Sequence, residues 1–114
     1  MAQYTDITID QGSTYSGKIP VVGANKLPVN LTGFAARGQI RRSYSSLTSV
    51  NFSTSIQDPE SGEIYINLTP TQTGAMKPGR YVFDVEIYNE NETDVIRVCE
   101  GQAEITPRAT KPIE

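Results

Sequence analysis

Few residues in this chain could do chemistry. Its 114 residues include no histidine, which removes the commonest general base and the commonest ligand for transition metals. A single cysteine, Cys99, lies between Val98 and Glu100. A lone thiol with no histidine to activate it reads as a small strand residue rather than a nucleophile. One cysteine also leaves no intrachain disulfide to form. Two acidic groups stand out: Asp58, Glu60 and Glu63, then Glu90, Glu92 and Asp94. Each could offer oxygen ligands to calcium, but neither has the Asp-x-Asp-x-Asp-Gly order of a dedicated loop. Both read as solvated hairpin loops, and neither a metal nor a cofactor is expected.

Asp84 and Glu86, two apart in an alternating stretch, would share one strand face with their carboxylates about 7 Å apart. An acid–base pair needs a setting that separates two pKa values. An open sheet face does not supply one, so pairing with Arg97 on the neighbouring strand is the expectation. Gly12, Gly17 and Gly23 are followed by no lysine–serine pair and no helix, so they form no phosphate loop. Tyr44, Tyr65 and Tyr88 are candidate interface residues, because tyrosine brings apolar area and a polar end at low entropic cost. The alternative, that they simply cover sheet surface, stays open. Arg41 and Arg42, the only adjacent cationic pair, complete the candidate interface set.

The net charge of -3 lacks the basic footprint of a nucleic-acid binder. No apolar run approaches membrane-spanning length, and the N-terminal residues do not follow a secretory signal pattern. The expectation is therefore a protein used without oxidative folding and bound to neither nucleic acid nor membrane. In that setting the Asn-x-Ser/Thr matches at Asn30, Asn51, Asn67 and Asn91 carry no weight. With no constellation from which a mechanism could start, no enzyme is expected.

The elements that would position these residues are strands. With 37% apolar and 20% charged residues, the chain has the makings of one core. Alternation predicts strands over Tyr4 to Ile9, Thr14 to Val22, Phe34 to Arg42, Val50 to Gln57, Glu63 to Leu68 and Arg80 to Tyr88. A further extended run covers Leu27 to Leu31, and a last strand pair covers Asp94 to Ile105, with Gly101 marking a bulge. Pro20 assigns its strand to a sheet edge. Asp58-Pro59-Glu60-Ser61-Gly62 is a turn joining two strands into a hairpin. Thr69-Pro70 reads as an N-cap and first position of a short helix near 70–76, ended by Lys77-Pro78-Gly79. The sum is an all-β, immunoglobulin-like sandwich of about seven or eight antiparallel strands over 1–106, with an extended tail over 107–114. Tyr81 is expected to be buried, with its hydroxyl bonded to backbone a few residues upstream. Gly79, Tyr81 and Phe83 would form the structural corner.

Two parts of the chain carry a resemblance. One is Ile9-Asp10-Gln11-Gly12-Ser13-Thr14-Tyr15, with Pro28 to Phe34 and Gly38-Gln39-Ile40-Arg41. The other is Gly62 to Leu68 leading into Pro78 to Glu86, closing with Glu100-Gly101 and Ile105-Thr106-Pro107. Together they resemble small immunoglobulin-like virion proteins of tailed bacteriophages and the N-terminal domain of phage upper baseplate proteins. The resemblance implies a non-enzymatic structural protein of the tail, baseplate, neck or head surface. Its partners would be other phage structural proteins in a symmetric multi-copy assembly, built in the host cytoplasm and found in the virion. It carries over no catalytic residue. Immunoglobulin domains proper place a cysteine two residues after the corner tyrosine; here Phe83 stands there, so aromatic packing would replace the disulfide. The alternative function is a glycan-binding host-recognition module using Tyr65 or Tyr88.

Overall fold

The computed structural model describes residues 3–110. Two sheets pack face to face as an immunoglobulin-like β-sandwich. The large sheet contains β1 (Gln3–Tyr4), β2 (Ile7–Asp10), β4 (Phe34–Arg41), β5 (Val50–Asn51), β8 (Gly79–Asn89) and β9 (Val95–Thr106). Its order is β1-β9-β8-β4-β5, with β2 also against β9. The small sheet is β3 (Tyr15–Pro20), β7 (Glu63–Leu68) and β6 (Ser53–Ser55), in the order β3-β7-β6.

The alternation read from the sequence sets which side chains meet between the sheets. Ile40, Phe83, Val85, Ile87, Ala103 and Ile105 of the large sheet face Ile19, Ile64, Ile66 and Leu68 of the small one. Burying each large aliphatic or aromatic side chain contributes about 1.5–3 kcal/mol. β3 lies at a sheet edge, as Pro20 requires. The β6–β7 hairpin forms with Thr54 opposite Ile66. Its turn is a 3-10 helix over Pro59–Ser61, capped by the Asp58 carboxylate and ended by Gly62 at φ 69°.

Helix α1 (Pro70–Gly74) begins at a full capping box. The Thr69 hydroxyl accepts from the Gln72 N–H at 3.1 Å, and the Gln72 side chain accepts from the Thr69 N–H at 2.9 Å. Thr73, fully buried, donates its hydroxyl to the Ser13 carbonyl at 2.8 Å. That bond ties α1 to the turn before β3.

Five expectations change. The run from Tyr4 to Ile9 is broken at Thr5–Asp6, and both halves pair with β9 in parallel rather than antiparallel. The run from Val50 to Gln57 is also divided. β5 belongs to the large sheet and β6 to the small one, so the chain crosses the core between them at Phe52. Alternation survives such a crossing, because the inward residues stay inward while the hydrogen-bonding partner changes. Leu27 to Leu31 forms no strand: Val22 and Pro28 make one isolated bridge, and Leu31 is buried while Leu27 is exposed.

The stretch from Asp94 to Ile105 is not a pair but the single long β9, antiparallel to β8. Its irregularity falls at Val98, where Val85 pairs with Cys99 but Glu86 pairs with Arg97. Gly101 has another purpose: a Cβ there would overlap the Thr5 carbonyl oxygen. The glycine lets the N-terminal strand lie against β9, and the Thr5 N–H donates to the Glu100 carbonyl at 2.9 Å. Of the expected tail, residues 107–110 have no regular structure, and the Arg108 side chain packs over Gly12. Residues 111–114 lie outside the described residues.

Candidate interaction surfaces

The corner before β8 is held by three side chains. Gly79 opens the strand at φ 138°, a conformation that favours glycine, and a Cβ there would collide with the Arg42 guanidinium. The Tyr81 hydroxyl donates to the Lys77 carbonyl at 2.7 Å, the upstream bond that was expected. The ring is only half-buried, because it closes the end of the sandwich instead of lying within it. The Arg42 guanidinium covers it, 4.8 Å from the ring centre. Phe83, two residues on, is buried edge-to-face against Phe52 at 6.1 Å. Aromatic packing thus fills the space between the sheets at this position.

The outer face of the large sheet is a cross-strand charge ladder. The Arg37 Nε lies 2.6 Å from Glu86 and its Nη2 lies 3.1 Å from Glu92. Arg97 lies 3.5 Å from Asp84 and 3.1 Å from Glu100. Asp84 therefore meets Arg97 as expected, whereas Glu86 is taken by Arg37. Burial pushes the Asp84 carboxyl up from the ordinary carboxylate range; Glu86 and Glu100 add to this, and Arg97 and Arg41 oppose it. Beside the ladder a polar groove of about 600 Å3 is lined by Arg37, Gln39, Asn51, Asp84 and Glu86, with Gly38 and Phe52 at its base.

The candidate tyrosines do not converge. Tyr65 is half-buried on the central strand of the small sheet, next to the Lys18–Glu63 pair. Tyr88 lies on the large sheet beneath Arg37, whose guanidinium sits 4.4 Å from its ring centre. Tyr44 is open to solvent on the 42–49 loop. Arg41 is tied down by bonds to the Ser46 carbonyl at 2.6 Å and the Gln39 amide at 2.9 Å, while Arg42 is exposed.

Tyr4 and Leu47 were not singled out from the sequence, yet they are 63% and 99% exposed. With Tyr44 they put three large side chains in solvent. Only the position of Leu47 in an otherwise polar connection could have signalled this.

Cys99 is buried, and burial raises its thiol pKa above the ordinary value, which favours the unreactive thiol. Of the acidic groups, Asp58 caps the 3-10 turn, and Glu63 and Glu92 form ion pairs with Lys18 and Arg37. Among the described residues no group of three or more His, Cys, Asp or Glu side chains is arranged to hold a metal. Among the described residues no helix is long and apolar enough to cross a membrane.

No protein-family model matches this sequence, and no curated protein matches it. Among solved structures the chain is similar to Listeria monocytogenes InlP, at a TM-score of 0.44 and 20% identity. That match covers 94% of this chain and 28% of InlP. A family 123 glycoside hydrolase from Clostridium perfringens, studied for glycolipid glycan hydrolysis, gives a TM-score of 0.44 and 13% identity. There the match covers 96% of this chain and 24% of the hydrolase. The chain thus spans roughly a quarter of each, and at these scores neither likeness bears on function.

Proposed function

We propose that this chain is a non-enzymatic structural protein of a tailed-phage particle. It would act as a multi-copy module that binds other virion proteins in the tail, baseplate, neck or head surface. The observation that carries the reading is the exposure of Tyr4, Tyr44 and Leu47, which stand 63%, 68% and 99% in solvent. Exposed tyrosines and a fully exposed leucine suit a protein contact better than a solvated surface. The resemblance of the Pro78 to Glu86 corner and its flanking segments to phage virion proteins supplies the setting. Assembly in the host cytoplasm accords with a free, buried Cys99.

Mass spectrometry of purified particles tests the reading. The protein should be present in a fixed ratio to known structural proteins, and its absence from intact particles would sink the proposal.

A glycan-binding role has one observation in its favour, the groove beside the charge ladder with its arginine, amide and carboxylate groups. Sugar sites in sandwiches combine such groups with a free aromatic face. Here the nearby Tyr88 ring is covered by Arg37. A glycan array should give no signal above background; a clear hit lost on Gln39→Ala would favour this reading instead.

A further inference from the structure

Two surfaces of opposite charge lie at the two ends of β8. β8 runs from Gly79 at one end to Asn89 at the other, 11 residues and so about 33 Å apart. At the Gly79 end, a groove of about 370 Å3 is bordered by Arg41, Arg42 and Lys77 over a floor of Ile40, Val50 and Met76. No carboxylate lines it. Among the described residues, neither Arg42 nor Lys77 forms an ion pair.

At the Asn89 end, the β8–β9 hairpin presents Glu90, Glu92 and Asp94. Arg37 holds Glu92 at 3.1 Å, while Glu90 and Asp94 have no ion-pair partner among the described residues. The tip is pre-shaped. The Asn89 amide donates to the Thr93 hydroxyl at 2.7 Å and accepts from the Asp94 N–H at 3.0 Å. A carboxylate tip ordered before binding loses little entropy on docking. Apolar surface matches as well: Val95 and Ile96 are each 44% exposed at the root of the hairpin, and Leu47 stands in solvent on the loop beside the groove.

We infer that the cationic groove receives the acidic hairpin of a second copy of this chain, so that copies associate head to tail. The inference rests on the multi-copy structural role proposed above for its biological setting. Groove and hairpin are different surfaces at opposite ends, so the contact is heterologous. It repeats from copy to copy, closing into a ring or extending as a filament according to the rotation between neighbours. Carboxylates of one copy enter between Arg42 and Lys77 of the next, and Leu47 covers the exposed residues at the hairpin root. Long-range attraction between such ends aligns the copies before contact.

Sedimentation velocity on the full chain, at about 0.05 M and 0.5 M salt, tests this. Wild type should associate with rising concentration, and at least about tenfold more weakly in the higher salt. A groove variant (Arg42→Glu with Lys77→Glu) and a hairpin variant (Glu90→Lys with Asp94→Lys) should each be monomeric alone. Mixed together they should associate again, because each reversed surface finds a reversed partner. Should the groove variant melt below wild type, the hairpin variant still decides the matter. Added to wild type, it should terminate growth and shorten the assemblies.

A wild type that stays monomeric at low salt throughout the concentration range overturns the inference. So does a hairpin variant that associates as wild type does. Monomers from a protein that is present in purified particles would reject head-to-tail stacking and keep the structural role. Salt-sensitive assemblies from a protein absent from particles would reject the role and keep the stacking.

Discussion

The Tyr81 hydroxyl donates to the Lys77 carbonyl oxygen at 2.7 Å, so the strand that opens at Gly79 is pinned to the chain just before it. The turn between them contains Pro78, which has no N–H to give, and Gly79 at positive φ. The side-chain bond therefore supplies closure that the backbone of this corner lacks. Tyr81→Phe should cost about 1 kcal/mol through that bond. Tyr81→Ala should cost about 2–3 kcal/mol, since it also uncovers the sandwich end and removes the surface on which Arg42 lies. Urea denaturation measures both. An alanine variant as stable as wild type would mean the corner holds without its tyrosine.

Gly101 and Thr5 stand in a relation that permits no side chain. A Cβ on Gly101 would overlap the Thr5 carbonyl oxygen, and the backbone of β9 cannot retreat without disturbing its pairing with β8. Gly101→Ala should therefore displace the N-terminal edge and cost about 1–3 kcal/mol. Amide exchange locates the damage. The Thr5 N–H, bonded to the Glu100 carbonyl, and the Gln102 N–H, bonded to the Asp6 carboxylate, should both lose protection. Unchanged protection at both amides would contradict the close approach.

Phe52 lies where the chain leaves one sheet for the other. Its N–H donates to the Gly38 carbonyl at 3.0 Å, and its buried ring meets Phe83 edge-on. Phe52→Ala should cost about 3–5 kcal/mol, since the cavity opens between two sheets that cannot both close on it. Phe52→Leu should cost less than half of that. If both cost under about 1 kcal/mol, the crossing is not anchored by this ring.

Much of this fold was legible because alternation reports which side chains face the core, and that survives whatever the strand pairs with. The segment from Glu63 to Leu68, the capped turn at Thr69-Pro70 and the Tyr81 hydroxyl bond were readable for this local reason. What alternation cannot report is the hydrogen-bonding partner. The sheet crossing at Phe52 and the parallel pairing of Ile7 with Ala103 were therefore hidden. Gly101 was misplaced for a related reason: its neighbour in space, Thr5, is remote in sequence. The cationic groove was half visible, since Arg41 and Arg42 are adjacent, but Lys77 joins them only through the packing of the corner.

Asp84 offers a test of the charge ladder itself. Burial is the largest influence on its carboxyl and raises its pKa above the ordinary 3.8, with Glu86 and Glu100 acting in the same direction. In the unfolded chain the group titrates near its ordinary value. As pH rises from about 3.8 through the higher folded pKa, the unfolded state loses its proton first, so Asp84 contributes less stability at neutral pH than in acid. Asp84→Asn removes that dependence. The stability of the variant relative to wild type should therefore rise between about pH 3 and pH 7, measured by urea denaturation across the range. Loss of the 3.5 Å pair with Arg97 acts against this, but Arg97 keeps Glu100 at 3.1 Å. A relative stability that falls with pH would show that the Arg97 pair outweighs burial. The ladder would then hold the outer face together by charge attraction, not merely tolerate charges there.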